Sequence, residues 1–204
     1  MKNKKAFTLT ELLVALGIIG AIAAMAIPSL LNSINNRIHA AQMKSFTQSM
    51  QQLINNQLIK YKTKNLFETD FAGIDTLLTD SNFDIAYLCT GTDSRDCWAD
   101  TYTKISGSSA CTVYSTYQNS AKLKSGLVFT MLNWSTNNKF VWVDVNGSDA
   151  PNICGRDVFA FYISKDGKIE YADSDLDNAI TSCKSGDAGY CYKALVENNW
   201  VMPY

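Results

Sequence analysis

The chain is short of the residues on which enzymes and nucleic-acid binders depend. It has one histidine, His39, in 204 residues. A Cys–His nucleophile therefore has a single candidate base, and that base falls on a long helical pattern. No Cys-x-x-Cys spacing occurs, which removes the usual zinc and thiol-exchange frameworks. No phosphate loop is present, so the chain carries no nucleotide-driven motor of its own. Lys and Arg number 18 against 19 Asp and Glu, a balance that leaves no electrostatic footprint for nucleic acid. Lys122 and Lys124 alone do not make the basic strip that DNA uptake would need. Asp-rich loops exist, but paired carboxylates are too common to count as a general acid and base. These absences exclude catalysis as the leading reading.

Charge is also missing from one place where its absence is informative. Leu12–Leu31 is a run of twenty uncharged residues, about 30 Å as a helix, the thickness of the hydrocarbon core. Lys2, Lys4 and Lys5 stand just before it. The positive-inside bias keeps that end cytoplasmic and sends the remainder across the membrane. The run is too long for a secretory signal core, and polar helical sequence follows it directly, so a retained membrane segment is expected.

All six cysteines (Cys89, Cys97, Cys111, Cys154, Cys183 and Cys191) lie beyond that segment. An even count on the exported side reads as disulfides. Many pairings are open to six cysteines. Loop-closure entropy favours the short-range pairs Cys89–Cys97 and Cys183–Cys191, leaving Cys111–Cys154, but the sequence does not choose among them.

Residues 4–31, KKAFTLTELLVALGIIGAIAAMAIPSLL, resemble the class III prepilin signal of type IV pilins and type II secretion pseudopilins. The shared features are a basic leader, a small residue, Phe, Thr-Leu, Glu-Leu-Leu and a long apolar stretch with a proline. The resemblance implies cleavage by a prepilin peptidase between Ala6 and Phe7, and N-methylation of Phe7. Where the family usually has glycine before the cut, this chain has Ala6, which is still small. The resemblance also implies an assembly role for Glu11. A carboxylate at the bilayer edge is costly. The free amine that cleavage creates on Phe7 of a neighbouring subunit, staggered by about one helical turn, would compensate it. Pro28 removes one N–H from the helix and is expected to kink it; the resemblance implies a local helix break in the filament between Pro28 and the upstream Gly17 or Gly20. Gly17, Gly20, Ala21, Ala24 and Pro28 leave room for close helix contact.

The helical pattern resumes after Pro28. Ile34, Ile38, Phe46, Met50, Leu53, Ile54, Leu58 and Tyr61 recur at steps of mostly three and four, so an amphipathic helix is expected to run to about Lys62. His39 is read as a surface residue on it. Residues 64–136 form the connection to a sheet, with short helices expected at Phe71–Leu78 and Asp84–Leu88. Strands are expected at Gly126–Leu132, Lys139–Val145, Asp157–Ile163 and Lys168–Ala172. In KFVWVDV, Phe140, Trp142 and Asp144 face one way and Val141, Val143 and Val145 the other. Gly167 supplies the left-handed residue of the SKDG turn. The tail, 173–204, is expected to be a disulfide-pinned loop closing over the sheet. The expected fold is α+β and pilin-like: a long N-terminal helix, transmembrane then amphipathic, packed on a small antiparallel sheet. Its parts are a leader at 1–6, a membrane and filament-core helix at 7–31 and a head at 32–204.

Asp144, Asn146, Asp149 and Asp157 could together offer hard oxygen ligands to Ca²⁺. Some major pseudopilins hold calcium in a loop after the sheet, and the resemblance makes the same role conceivable here. The competing reading is a set of Asx turns punctuated by Asn146-Gly147 and Pro151-Asn152. Asp173, Asp175, Asp177 and Asp187 form a second, weaker candidate set. Four tryptophans (Trp98, Trp134, Trp142 and Trp200) are read mainly as core.

The function expected is that of a structural subunit of a type IV pilus or type II secretion pseudopilus. It would sit in the bacterial inner membrane, single-pass with its N-terminus cytoplasmic and its head in the periplasm or on the cell surface. Its expected partners are a homo-oligomeric helical filament, prepilin peptidase, an inner-membrane assembly platform and a cytoplasmic ATPase. The alternative is a membrane-anchored binding module that never polymerises.

Overall fold

A computed structural model describes residues 8–72, 83–90, 97–107, 110–111, 113, 119–133, 135–171 and 173–204. The chain divides into two compact units, one ending at Arg37 and the other running Ile38–Tyr204.

Helix α1 spans Leu9–Tyr61 with Pro28 inside it. The helix is continuous through Pro28; one missing N–H removes one bond from a ladder of many. The helix ends in a Schellman motif. Lys62 is left-handed at φ 51°, its N–H donates to the Ile59 carbonyl at 3.2 Å, and Thr63 N–H reaches the Leu58 carbonyl at 3.2 Å. Two short 3-10 turns follow, Leu66–Glu68 and Asp70–Ala72, the first capped by the Asn65 side chain on Phe67 N–H.

Among the described residues the sheet of the second unit has six strands: β1 Ile85–Cys89, β2 Ser120–Leu123, β3 Val128–Asn133, β4 Asn138–Asp144, β5 Val158–Ser164 and β6 Ile169–Glu170. They are antiparallel and lie in chain order. The sequence suggests three or four strands. β1 and β2 escape it because SAKL is short and IAYLC shows no clean alternation. Asp84–Leu88 is not a helix: Ile85–Cys89 pairs with β2. Of the helix expected at Phe71–Leu78, only residues 71 and 72 are described, and they belong to a 3-10 turn.

Both faces of the sheet are covered. Val141, Val143 and Val145 join Phe129, Phe159, Phe161 and Ile163 in one core, against Met43, Phe46, Met50, Leu53 and Ile54 of α1. The buried residues of α1 begin at His39 and recur through Ala40, Met43, Phe46, Met50, Leu53, Ile54 and Gln57, spacings that keep them on one face. Phe140 and Trp142 point into a second cluster with Trp98, Tyr102, Val158, Ala160 and Ala188. Hence β4 is buried on both sides, and the alternation read from KFVWVDV sorts correctly onto two cores. His39 is not a surface residue. It is 9% exposed, and its Nδ1 lies 3.1 Å from the Arg156 carbonyl. Burial pushes its pKa down, partly offset by that carbonyl.

The tail is helical rather than a loop. Helix α2 spans Leu176–Lys184 and helix α3 spans Ala188–Glu197. Asp175 caps α2 by accepting from Asn178 N–H at 2.8 Å. Asp187 caps α3 by accepting from Gly189 and Tyr190 N–H. The three disulfides are Cys89–Cys97, Cys111–Cys154 and Cys183–Cys191, the set that loop-closure entropy favours. The last joins α2 to α3. Gly155 packs on it so tightly that a Cβ there would lie 2.6 Å from Cys191 Sγ.

Candidate functional site: the N-terminal signal and the 144–157 loop

Ala6 and Phe7 lie outside the described residues. Thr8, the first described residue, opens α1, and Leu12 N–H reaches its carbonyl at 3.2 Å. Its backbone N–H donates to Glu11 Oε2 at 2.7 Å, and its Oγ1 donates to the same oxygen at 2.9 Å. Glu11 N–H donates back to Thr8 Oγ1 at 3.2 Å. This is a capping box, which satisfies two N-terminal donors reciprocally. Its sequence signature, T-x-x-E, is legible at Thr8–Glu11. The carboxylate also sits in the first turn, where the helix dipole favours negative charge.

Beyond Glu11 the helix presents apolar side chains outward. Leu9 is 74% exposed and Met25 80%, with Leu12, Leu13, Leu16, Ile19, Ile22 and Leu30 also exposed. A Cβ at Gly17 or Gly20 would meet nothing within 4 Å. Among the described residues this is the one helix long and apolar enough to cross a membrane, with a window of mean hydropathy 2.3. It is consistent with a single-pass topology.

In the 144–157 loop the structure brings Asp144 and Asp157 to adjacent strand ends but occupies them with protein donors. Asp144 is fully buried. It accepts from Tyr102 OH at 2.7 Å and from Asn146 N–H at 3.2 Å, while Tyr102 OH accepts from Ala99 N–H. Burial holds its carboxyl well above the usual carboxylate range, with the Asp157 charge adding to the effect. Asp157 accepts from Asn152 and Ile153 N–H, both at 2.6 Å. Burial pushes its pKa up to about 6 against the relief those N–H groups provide. Asn146 Nδ2 donates to the Asp149 and Ala150 carbonyls, and the Asp149 side chain is exposed. The loop also holds a cis Ala150–Pro151 bond and left-handed Gly147 and Asn152. Among the described residues the amide oxygens of Asn146 and Asn152 accept no hydrogen bond.

Held by these protein partners, Asp144, Asn146 and Asp157 form the turn scaffold of the β4–β5 connection, with Asp149 exposed beside them. Among the described residues no group of three or more His, Cys, Asp or Glu could hold a metal ion. In the second candidate set, Asp175 and Asp187 are helix caps. Tyr102, which anchors this network from a distant segment, had no signal in the sequence. Lys124 is ion-paired to Asp84 at 2.6 Å, and Lys122 lies over the Tyr87 ring at 5.9 Å, so neither builds a basic strip. Trp98, Trp142 and Trp200 are core or core-edge residues; Trp134 lies outside the described residues.

An apolar N-terminal helix, an amphipathic continuation packed on a small antiparallel sheet, and disulfide pairs in the head make up a pilin-like architecture. Residues 1–27 match the prokaryotic N-terminal methylation motif. The match supports a type IV pilin- or pseudopilin-like assignment and a prepilin-like membrane protein whose N-terminal helix serves assembly. Neither the curated proteins nor the solved structures include a match to this chain.

Proposed function

We propose that the chain is a structural subunit of a type IV pilus or a type II secretion pseudopilus. The observation that carries this reading is the methylation motif over residues 1–27, with Glu11 as the single charge in the outward-facing apolar stretch Leu9–Leu31. Prepilin peptidase cuts between Ala6 and Phe7, and Phe7 is N-methylated. The leader lysines hold the N-terminus in the cytoplasm until then, and the head stands in the periplasm. The helix waits in the inner membrane and then enters a bundle of its own copies. One dry environment replaces another, so leaving lipid need not forfeit the hydrophobic term.

The pairing of Phe7 N⁺ with Glu11 of the next subunit sets the stagger, about 6 Å for four residues. In this chain both Thr8 bonds go to Oε2, which leaves Oε1 for the neighbour's amine. Gly17 and Gly20, bare of neighbours within the chain, let packed helices approach. With no phosphate loop in the chain, an inner-membrane platform and a cytoplasmic ATPase supply the work.

Mass spectrometry of the native protein tests processing: the mature chain should begin at N-methylated Phe7. An intact Met1 start would instead favour an anchored binding module that never polymerises. Glu11→Ala should leave that mass shift intact yet lower the yield of sheared filaments at least about tenfold, the loss of one charge pair in a dry environment. Filament yield equal to the parent would remove the pairing from the mechanism.

A further inference from the structure

Polar contacts tie α1 to distant segments of the head at successive levels. His39 Nδ1 lies 3.1 Å from the Arg156 carbonyl, Thr47 Oγ1 accepts from Tyr192 OH at 3.3 Å, and Gln51 Nε2 donates to the Gly167 carbonyl at 3.3 Å. Of these, the His39 contact alone can change charge between about pH 5 and 8. The corner it holds is compact. Arg156 N–H donates to the Ile153 carbonyl at 2.9 Å and Gly155 N–H to the Val158 carbonyl at 2.8 Å. A Cβ at Gly155 would lie 2.6 and 2.8 Å from the two sulfurs of Cys183–Cys191, and Tyr204 OH reaches the Cys191 carbonyl at 3.5 Å. One imidazole therefore joins α1 to a corner on which the α2–α3 disulfide rests.

A carbonyl can only accept, so Nδ1 carries the hydrogen and the neutral ring keeps its lone pair on Nε2. That nitrogen has no partner among the described residues. At 9% exposure, His39 can take a proton from water but cannot be hydrated as a cation in place. No counter-ion stands ready for it. One turn away on α1 are Asn35, Asn36, Gln42 and Met43, none of which titrates. Arg37 and Lys44 on the helix and Arg156 on the corner are cations themselves. The Asp157 carboxylate is engaged by Asn152 and Ile153 N–H, and the buried Tyr204 phenol is neutral. None of these charges offsets the burial that lowers the His39 pKa; the Arg156 carbonyl alone opposes it.

We propose that His39 is an acid-operated latch between α1 and the 153–158 corner: a proton on Nε2 drives the ring out to water and frees the Arg156 carbonyl, while the Thr47 and Gln51 contacts hold. The device is independent of the filament reading. The folded state holds this proton less tightly than the unfolded one. The latch is therefore closed above the ordinary histidine value of 6.5 and opens as pH falls below it. Asp157, raised to about 6, titrates in the same range with the opposite sign, so a variant has to separate the two.

The test is hydrogen exchange by mass spectrometry on the full chain in detergent, at about pH 7.5 and about pH 5, with rates corrected for intrinsic exchange. Peptides covering 153–158 should lose protection at least about threefold on acidification, while those covering 43–54 stay unchanged. His39→Gln can still donate to the Arg156 carbonyl but takes up no proton, and it leaves Asp157 in place; it should abolish the loss. The single imidazole of the parent should titrate below 6.5 by proton NMR, a readout that needs no variant. Equal loss of protection in His39→Gln, a loss of the same size over 43–54, unchanged protection over 153–158, or titration at or above the ordinary value would each overturn the latch.

Discussion

The two stretches of α1 have the same secondary structure and opposite surroundings. Up to Arg37 the large apolar residues touch little else in the chain: Leu9, Leu16, Ile19 and Met25 are all more than half exposed. From His39 to Ile54 the large apolar residues are almost fully enclosed, with Met43, Met50, Leu53 and Ile54 at 0% exposure. Apolar content does not separate the two stretches, since both are rich in it. Its distribution does. In the first stretch apolar residues surround the axis, the signature of a helix solvated by lipid or by other helices. In the second they keep to one stripe, with Gln, Asn, Lys and Ser opposite, so a single sheet suffices to bury them. Ile34 and Ile38 mark the change: both fit the amphipathic pattern, yet they remain 44% and 49% exposed.

This contrast can be tested by making the same kind of cut in each stretch. Phe46 packs on Phe83, Phe129 and Phe161 at centroid distances of 5.6, 5.1 and 6.5 Å. Phe46→Ala should destabilise the head by about 3–5 kcal/mol in urea denaturation of the detergent-solubilised chain. Leu16→Ala should change the same transition by no more than about 0.5 kcal/mol. Equal effects would erase the distinction.

A smaller effect is expected from Cys111→Ala with Cys154→Ala. The pair closes a separation of 43 residues, the longest of the three, and its removal should cost about 2–4 kcal/mol. The disulfides all lie in the head, so a reductant should lower the head's melting temperature without altering helicity in the segment ending at Arg37.

The next effect is pH-dependent. Asp157 has its folded pKa raised to about 6 from an ordinary value of 3.8. The folded state therefore holds the proton more tightly than the unfolded one. Its contribution is present below about pH 4 and is lost as pH rises through about 6, a change on the order of 1–3 kcal/mol. The stability difference between the parent and Asp157→Asn, measured by urea titration from pH 4 to 7.5, should shift against the parent as pH rises. A flat difference would mean that the carboxylate is already ionised throughout that range.

Several features of the head were readable residue by residue. The alternation Phe140–Val145 assigned each side chain to its side of the sheet, because a strand's period of two leaves no other arrangement once both sides are covered. Gly167 sits at φ 80° in the SKDG turn, as a left-handed turn residue should. Other features could not be read. His39 lies near the polar boundary of the helical pattern, but the Arg156 carbonyl that receives it comes from a loop more than a hundred residues away. Asp144 and Asp157 look like metal ligands in a one-dimensional pattern. Tyr102 and the local backbone N–H groups satisfy them instead, and only chain folding brings those donors in. The helices of the tail were masked by its Asp, Ser and Gly content, although Asp175 and Asp187 stand at cap positions.

The sequence alone determined that one segment is solvated outside its own chain and that another must bury a stripe. Those are properties of side-chain order along a helix, and they need no partner to be stated. It also determined the Thr8–Glu11 cap, whose donors and acceptors are three residues apart. Tertiary structure decided what occupies each buried polar group and which strands form the sheet's edge. Those outcomes depend on atoms distant in sequence meeting within hydrogen-bond or van der Waals range, and local patterning does not encode that convergence.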